Sequence, residues 1–382
     1  MTVEFISLIN TRPGDELNPR PDARPLDPAY LRRYARTLED AGFDYSLVPY
    51  GSGTADSFVV AAAVATATER LAPIVAVRPN TVHPLVAAQQ LATLDQLSDG
   101  RAVVHIISGG SDAEQARHGD FLTKDERYDR SEEWIRIVRR AWTERAPFSH
   151  DGTYYRFEDF GPGFPPFSTI PISVGGSSDA AYRVGGAVGD IFGLWGEPLA
   201  DTRDQIDRVN AAAEAAGRTD RPRIWVTFRP IVAETDELAW EKAHRQVAKV
   251  AETYANGGFL PKGHHAATAT PQNVGSQRLL DAAARGEVHD RALWTKPAAV
   301  TNAAGASTAL VGSYETVAAA ILDYVDLGAD LISIRGYDNL NDAIDYGRYV
   351  LPLVRQELAH REATGARGQV VAQPPIVEGV RA

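Results

Sequence analysis

The chain has 382 residues, of which 44% are hydrophobic and 23% are charged, a composition typical of a globular protein with a large core. Its net charge of −11 and the lack of a long basic run argue against nucleic acid or an anionic membrane surface as a partner. The absence of cysteine excludes disulfides, thiolate catalysis and cysteine-ligated metals. The first residues lack a basic region and a long apolar run, so we expect a cytoplasmic protein without a signal peptide or transmembrane segment.

Strands and helices alternate along most of the chain in the apolar pattern. The predicted strands are 3–8, 45–49, 71–77, 101–107, 171–174, 190–195, 223–233, 308–311 and 331–335. The predicted helices are 29–41, 57–68, 84–97, 127–143, 180–188, 199–216, 236–255, 277–285, 317–327 and 343–359. This alternation predicts an α/β fold, a TIM-like (β/α)8 barrel. An open doubly wound sheet is the alternative, but no G-x-G-x-x-G motif follows the first strand, where a dinucleotide site belongs.

The domain organisation follows from three irregular stretches. Residues 10–28 form a long loop rich in Pro, Arg and Asp, and loops of this size tend to be functional. Residues 256–307 show little periodicity, so we predict a mobile lid inserted into the barrel, with disorder as the alternative. We therefore predict one barrel domain over residues 1–362 and a flexible C-terminal tail over residues 363–382.

The stretch 171–181, which reads P-I-S-V-G-G-S-S-D-A-A, has the pattern of an anion site. A strand leads into Gly175 and Gly176, where the backbone can approach a ligand closely. Ser177 and Ser178 then precede a helix, whose free N–H groups and dipole favour a phosphate. An ordinary strand-to-helix turn with a serine cap is the alternative interpretation. In a barrel this turn would lie at the C-terminal ends of the strands, where active sites are found.

Seven stretches in order resemble one family across nearly the whole chain. They are T-E-R-L-A-P-I-V-A-V-R-P (68–79), A-T-L-D-Q-L-S-D-G-R (92–101), D-E-R-Y-D-R-S-E-E-W (125–134), V-G-G-S-S-D-A-A (174–181), L-W-G-E-P (194–198), T-A-L-V-G (308–312) and G-Y-D-N-L-N-D-A (336–343). Together they resemble the bacterial luciferase-like flavin monooxygenases, in the branch around alkanesulfonate and dimethylsulfone monooxygenases. The resemblance implies a barrel that takes reduced FMN from a separate NAD(P)H:flavin reductase, reacts it with O2 and attacks a small substrate through a flavin peroxide. We also expect a homo-oligomer, either a dimer or a tetramer.

The resemblance implies a set of cofactor-binding residues. They are His105, Ser108, Gly109, Tyr128, Gly176, Ser177 and Ser178. The last three match positions that hold the flavin phosphate, whereas Ser108, Gly109 and Tyr128 match positions at the phosphate and ribityl chain. His105 is either a flavin contact, titrating near neutrality if it lines the barrel mouth, or a packed strand residue.

The resemblance also implies catalytic positions at Thr54, Trp195, Arg229 and Tyr337. Thr54 stands where relatives have a cysteine and is expected to hydrogen-bond the flavin, and Tyr337 is expected to donate a proton. Trp195 is retained from the family pattern. Relatives carry Arg-x-His where this chain has Thr227-Phe228-Arg229, and an arginine where it has Thr301.

These departures concern the substrate. Alternation along a strand places Phe228 towards the helices and leaves Thr227 and Arg229 facing the pocket. We expect Arg229 to bind an anionic group of the substrate, with Arg335 either assisting or forming a salt bridge. An organosulfur compound undergoing C–S cleavage is the first expectation, and another small oxygenated compound is the second. A deazaflavin-dependent hydride-transfer enzyme and a non-catalytic flavin-binding protein remain open.

Overall fold

The computed structural model describes residues 2–255, 270–304 and 308–365, and every structural statement below refers to these residues. The strands are β1 (Glu4–Leu8), β2 (Tyr45–Val48), β3 (Ala72–Val77), β4 (Val103–Ile106), β5 (Phe148–Asp151), β6 (Arg156–Phe160), β7 (Ile172–Gly175), β8 (Ile191–Trp195), β9 (Arg223–Phe228), β10 (Ile231–Ala233), β11 (Val288–His289), β12 (Leu293–Trp294), β13 (Ala309–Ser313) and β14 (Ala329–Ile334). The helices are α1 (Pro28–Asp40), α2 (Ser57–Ala67), α3 (Pro84–Leu97), α4 (Asp112–Ala116), α5 (Lys124–Thr143), α6 (Asp179–Val188), α7 (Leu199–Ala215), α8 (Asp236–Ala255), α9 (Val274–Arg285), α10 (Lys296–Val300), α11 (Tyr314–Leu327), α12 (Asn339–Asp345) and α13 (Leu351–Thr364), with a π-helical turn (Tyr346–Val350) between the last two.

Eight parallel strands close into a barrel in the order β1-β14-β9-β8-β7-β4-β3-β2. The barrel closes where β1 pairs with both β2 and β14. The predicted (β/α)8 fold is therefore confirmed, and an open doubly wound sheet is excluded. No helix in the described ranges 2–255, 270–304 and 308–365 is long and apolar enough to span a membrane.

Side chains at alternate strand positions fill the barrel interior, as the two-residue period of a strand requires. The lower layer is apolar and consists of Ile6, Ile74, Val103, Ile191, Trp225 and Leu331. The next inward positions towards the C-terminal ends include His105, Thr227 and Ser333, which line a cavity. The barrel is thus sealed by a packed layer below and opens above it.

The stretch predicted as one strand over 223–233 is two strands. Barrel strand β9 ends at Phe228, and β10 then pairs with β13 in a separate four-stranded sheet with β12 and β11. Pro230 separates the two strands and cannot donate a ladder hydrogen bond. The N–H of Arg229 instead donates to the Thr308 carbonyl at 3.0 Å. The predicted barrel strand 308–311 therefore corresponds to β13, which lies outside the barrel.

The segment predicted as an irregular lid is largely ordered where the structure describes it. Residues 270–304 contain α9 and α10 and the short strands β11 and β12, which extend the sheet of β13. Buried Trp294 anchors this segment against α8, with its ring centroid 5.4 Å from that of Trp240. The rest of the predicted lid (256–269 and 305–307) and the tail from residue 366 lie outside the described residues.

Candidate active site

One cavity of about 380 Å³ lies at the C-terminal ends of the barrel strands. Strands on opposite sides of the barrel contribute to it, including β1 through Leu8, β7 through Gly175 and β9 through Thr227. Among the predicted site residues, eight line this cavity: His105, Ser108, Gly109, Tyr128, Gly176, Ser177, Ser178 and Trp195. The sequence motifs therefore converge on a single concave site.

The turn after β7 has a geometry that only glycine satisfies. Gly176 has a φ of 138°, and a Cβ there would lie 2.2 Å from the Tyr128 hydroxyl oxygen. That hydroxyl donates a hydrogen bond to the Gly175 carbonyl at 2.9 Å, which fixes the turn. Ser178 caps α6 by accepting from the Ala181 N–H at 3.3 Å. The turn and the helix N-terminus therefore present backbone N–H groups and serine hydroxyls at the cavity, as a phosphate site requires.

The turn after β4 forms the adjacent wall and is held by α5. The Ser108 hydroxyl lies 2.9 Å from that of Ser131, and the buried Arg127 guanidinium donates to the Ser108 carbonyl at 3.0 Å. Gly109 has a φ of 90°, and a Cβ there would collide with the side-chain amide of Gln115. These contacts fix the backbone at Ser108 and Gly109, so the cavity wall is preorganised rather than shaped by a ligand.

His105 forms part of the cavity floor. Its Nδ1 lies 2.9 Å from the Ser173 hydroxyl, and its ring centroid lies 5.0 Å from that of Trp225. The ring fits closely against the backbone of β7, because a Cβ at Gly175 would come within 3.1 Å of its Cε1. Burial lowers the pKa of His105 to about 4, so the imidazole is neutral at pH 7. The expectation that it titrates near neutrality is therefore wrong.

Trp195 and the start of α9 form another wall of the cavity. A Cβ at Gly275 would lie 3.0 Å from the Trp195 ring, so helix and indole are in close contact. The Arg278 guanidinium ties α9 to the residues after β8 through buried Glu197, at 2.7 Å. This ion pair joins positions 81 residues apart and holds the first turn of α9 against the cavity, where Val274 and Gly275 line it.

Arg229 does not line the cavity, contrary to the sequence-based expectation. It is buried, pairs with Glu16 at 2.7 Å and donates to the Gly336 carbonyl at 3.0 Å. Its guanidinium carbon also lies 3.7 Å from the centroid of the Tyr337 ring. The alternation that placed Arg229 inward stops at Phe228, where β9 ends. Arg229 is therefore already neutralised by a buried partner.

Tyr337 and Thr54 also lie outside the cavity lining. Tyr337 is buried in an apolar cluster with Trp294, and burial raises its pKa to about 12, which opposes proton donation near neutral pH. Thr54 is exposed, and its hydroxyl closes a local turn with the backbone of Gly51 at 3.0 Å. The flavin contact at Thr54 and the proton donation by Tyr337 are thus not supported by their positions.

Comparison of the sequence with protein-family models identifies the family of this chain. The model of the luciferase-like monooxygenases matches residues 3–331. The chain belongs to the luciferase-like monooxygenase family. It is therefore an oxidoreductase of this family, as the seven sequence motifs indicate.

Several solved enzyme structures share this fold. A riboflavin lyase bound to modified FMN and riboflavin has a TM-score of 0.76 at 22% identity, covering 94% of this chain and 92% of its own. An EDTA monooxygenase from Chelativorans sp. BNC1 has a TM-score of 0.72 at 20% identity, covering 94% of each chain. An F420-dependent secondary alcohol dehydrogenase has a TM-score of 0.67 at 18% identity, covering 93% of this chain and 100% of its own. At these identities the likeness establishes the fold alone.

Two features of this luciferase-like site were not predicted from the sequence. Lys124, the first residue of α5, lines the cavity four residues before Tyr128. Val274 and Gly275 line it from a helix that the apolar pattern starts only at Gln277. The signal for the helix start was Asn273, which caps α9 by accepting from the Gly275 N–H at 2.7 Å.

Proposed function

We propose that this protein is the oxygenating component of a two-component monooxygenase. It would take reduced FMN from a separate NAD(P)H:flavin reductase and use O2 to oxidise a small organosulfur compound with cleavage of a C–S bond. The single observation that carries the cofactor assignment is the turn of Gly176, Ser177 and Ser178, which presents its donors to the barrel cavity. The lack of a dinucleotide motif after β1 supports an external electron source.

The residues present fit a flavin mononucleotide. No described residue accepts a hydrogen bond from the backbone N–H of Ser177 or Ser178, so these donors are available to a phosphate. Lys124 supplies a cation at the same side of the cavity. Ser108, Gly109 and Tyr128 would then hold the polar chain of the cofactor. This donor set suits a dianionic phosphate better than a neutral ligand.

The remaining residues of the cavity lining suit an oxygenation reaction that requires the exclusion of water. Reduced flavin supplies the activation of O2, and the chain supplies binding, orientation and a dry site. Leu8, Leu47 and Trp225 give the cavity an apolar floor, and Trp195 with α9 covers one side. Neutral His105 can hydrogen-bond to a ligand without adding charge. Exclusion of water protects a reactive oxygenating species from decay.

A deazaflavin-dependent hydride transfer is the second candidate. The fold shared with an F420-dependent secondary alcohol dehydrogenase favours it as an alternative on the same barrel. Equilibrium titration of the purified chain with FMN, reduced FMN and F420 separates the two candidates. Tighter binding of F420 than of either flavin would overturn the monooxygenase proposal.

The cofactor assignment is tested by replacing Ser177 and Ser178 together with alanine. Loss of two hydroxyl donors to a dianion should weaken FMN binding about tenfold or more. Because Ser178 is also a helix cap, Ser313→Ala is the matched control: Ser313 caps α11 by accepting from the Thr316 N–H at 3.2 Å and lies outside the cavity lining. Unchanged FMN affinity in the double variant would refute the placement.

The two-component proposal has its own test. The purified chain alone should not oxidise NADH or NADPH, and addition of a flavin reductase with FMN should give substrate-dependent O2 consumption. Steady NAD(P)H oxidation by the purified chain without the reductase would contradict an external electron source.

A further inference from the structure

Arg335 occupies the inward position at the end of β14. Residues Leu331 and Ser333 face the barrel interior from the same strand, and Arg335 continues this alternation into the cavity. The Arg335 N–H donates to the Phe228 carbonyl at 3.4 Å, so the backbone here still follows the barrel. The side chain is partly buried. Arg335 therefore presents a guanidinium group at the wall of the cavity.

The charge of Arg335 is not neutralised by an ion pair with any carboxylate within the described part of the chain. The ion pairs found there include Arg229 with Glu16 at 2.7 Å, but none involves Arg335. Burial, together with the charge of nearby Arg229, lowers the pKa of Arg335 below its usual range, despite the opposing effect of Glu16. A desolvated cation without a partner is unfavourable, and an anionic ligand relieves that cost.

Arg335 lies away from the phosphate turn. Strand β14 is three strands from β7 in a barrel of eight, through β9 and β8, so Arg335 and the Gly176–Ser178 turn are on nearly opposite sides of the mouth. The other cation of the lining, Lys124, lies on the helix whose Tyr128 bonds the phosphate turn. The cofactor phosphate therefore leaves Arg335 free for a different anion.

The cavity that holds these two cations also has large apolar side chains in its lining. Leu8, Leu47, Trp195 and Trp225 line it, so a ligand at Arg335 would place an uncharged body against rings and aliphatic side chains. A guanidinium presents paired donors that match the oxygen atoms of a sulfonate or a carboxylate. A neutral sulfone carries no charge that could balance the charge of the guanidinium group.

We infer that Arg335 binds the substrate through one anionic group, and that the substrate is an organic sulfonate or carboxylate with an apolar body. This inference rests on the proposed function for its assignment of the ligand as the substrate. The anion site itself is a property of the cavity and can be measured without turnover.

Direct binding to wild-type protein and to Arg335→Met tests the inference. The probes are benzenesulfonate, benzoate and the neutral, similarly sized methyl phenyl sulfone, titrated calorimetrically with and without FMN. We expect the oxyanions to bind the wild type and to lose roughly 10- to 100-fold in affinity in Arg335→Met. The sulfone should bind both proteins weakly and equally. The better of the two oxyanions identifies which group the substrate carries.

Three results would overturn the inference. If benzenesulfonate and benzoate each bind Arg335→Met as tightly as they bind the wild type, another group binds the anions. If the sulfone binds the wild type more tightly than both oxyanions do, the ligand needs no negative charge. Loss of FMN affinity, rather than oxyanion affinity, would assign Arg335 to the cofactor.

The stability of the variant is also informative. Because no carboxylate among the described residues forms an ion pair with Arg335, Arg335→Met should fold with at least wild-type stability, and a failure to fold would contradict the inference. Arg335→Lys keeps the charge without the paired donors and should show an intermediate loss of oxyanion affinity. FMN binding, measured in parallel on the wild type, separates failure of this inference from failure of the proposed function.

Discussion

Gly176→Ala is the sharpest perturbation of the cofactor turn. The φ of 138° is a conformation that alanine rarely adopts, and the new methyl would lie 2.2 Å from the Tyr128 hydroxyl and 2.8 Å from the Ala181 Cβ. Backbone strain of about 1–3 kcal/mol and overpacking of about 1–3 kcal/mol together predict a loss of about 2–6 kcal/mol in unfolding free energy. FMN binding should weaken at least tenfold because the donors of Ser177 and Ser178 are displaced.

The assay is urea unfolding together with FMN titration followed by flavin fluorescence. Gly217→Ala is the matched control, because Gly217 has a φ of 76° but no atom lies within 4 Å of the position that a Cβ would take there. Gly217 also follows α7 and lies outside the cavity lining. That control should lose about 1 kcal/mol of stability and keep its FMN affinity.

A second variant isolates the steric contact. Tyr128→Phe removes the hydroxyl and with it the 2.2 Å contact, which leaves the methyl of Gly176→Ala 2.8 Å from the Ala181 Cβ and 3.3 Å from the ring carbon. In the Gly176→Ala background this change should restore part of the lost FMN affinity. Wild-type affinity and stability in Gly176→Ala, or no rescue by Tyr128→Phe, would refute the reasoning.

Two further predictions concern charge. Glu16→Gln should destabilise the fold by about 3–5 kcal/mol at pH 7, because it leaves buried Arg229 unpaired, whereas Glu241→Gln on an exposed pair should cost under about 0.5 kcal/mol. Burial alone would raise the pKa of Glu16, but the charges of Arg229 and Arg335 outweigh burial and lower that pKa. The ion pair therefore stabilises the fold above the ordinary glutamate pKa, and this stabilisation is lost as the pH falls through the lowered pKa. The unfolding free energies of the wild type and Glu16→Gln, measured in urea, should therefore converge at acid pH. His105, with a pKa of about 4, should show no imidazole titration by NMR between pH 6 and 8. Below pH 6.5, about the pKa of histidine in the unfolded chain, the imidazole of His105 is protonated in the unfolded state but stays neutral in the folded state. The free energy of unfolding should therefore fall as the pH is lowered towards 4. A His105→Gln variant with the same pH dependence of stability would contradict this.

Local signals in the sequence were sufficient to predict the barrel and the strand–turn–helix geometry at Gly175–Ser178. The order strand, Gly175, Gly176, Ser177, Ser178 and helix describes one continuous turn, whose glycines and helix cap are visible in a single short stretch. Alternation also placed Phe228 correctly towards the helices, where its ring centroid lies 4.6 Å from that of Tyr324. Such patterns predict structure well when the element that carries them continues unbroken.

The errors arose where contacts join distant residues. The partner of Arg229 is Glu16, 213 positions away, and the break of β9 before Pro230 reversed the direction predicted for this arginine. The helix α9 reaches the cavity through the Arg278–Glu197 pair, 81 positions apart. Neither pairing leaves a periodic signal, so a single sequence does not reveal it. Thr54 was assigned by resemblance alone, and its hydroxyl is used in a local turn.

The two sides of the cavity come from parts of the chain that are constrained in different ways. The turn of Gly176, Ser177 and Ser178 follows barrel strand β7, and Gly176 and Tyr128 restrict each other sterically there. A second wall belongs to α9, which lies between the barrel helices α8 and α11 in the chain and is fastened by Arg278 to Glu197. Substitutions at Val274 or its neighbours can therefore reshape the cavity wall while the turn after β7 keeps its conformation. Exchange of the first turn of α9 alone is accordingly a smaller change than exchange of residues 270–304, because Asp290 and Arg291 in that longer segment bind Leu199 of α7 and Asp323 of α11.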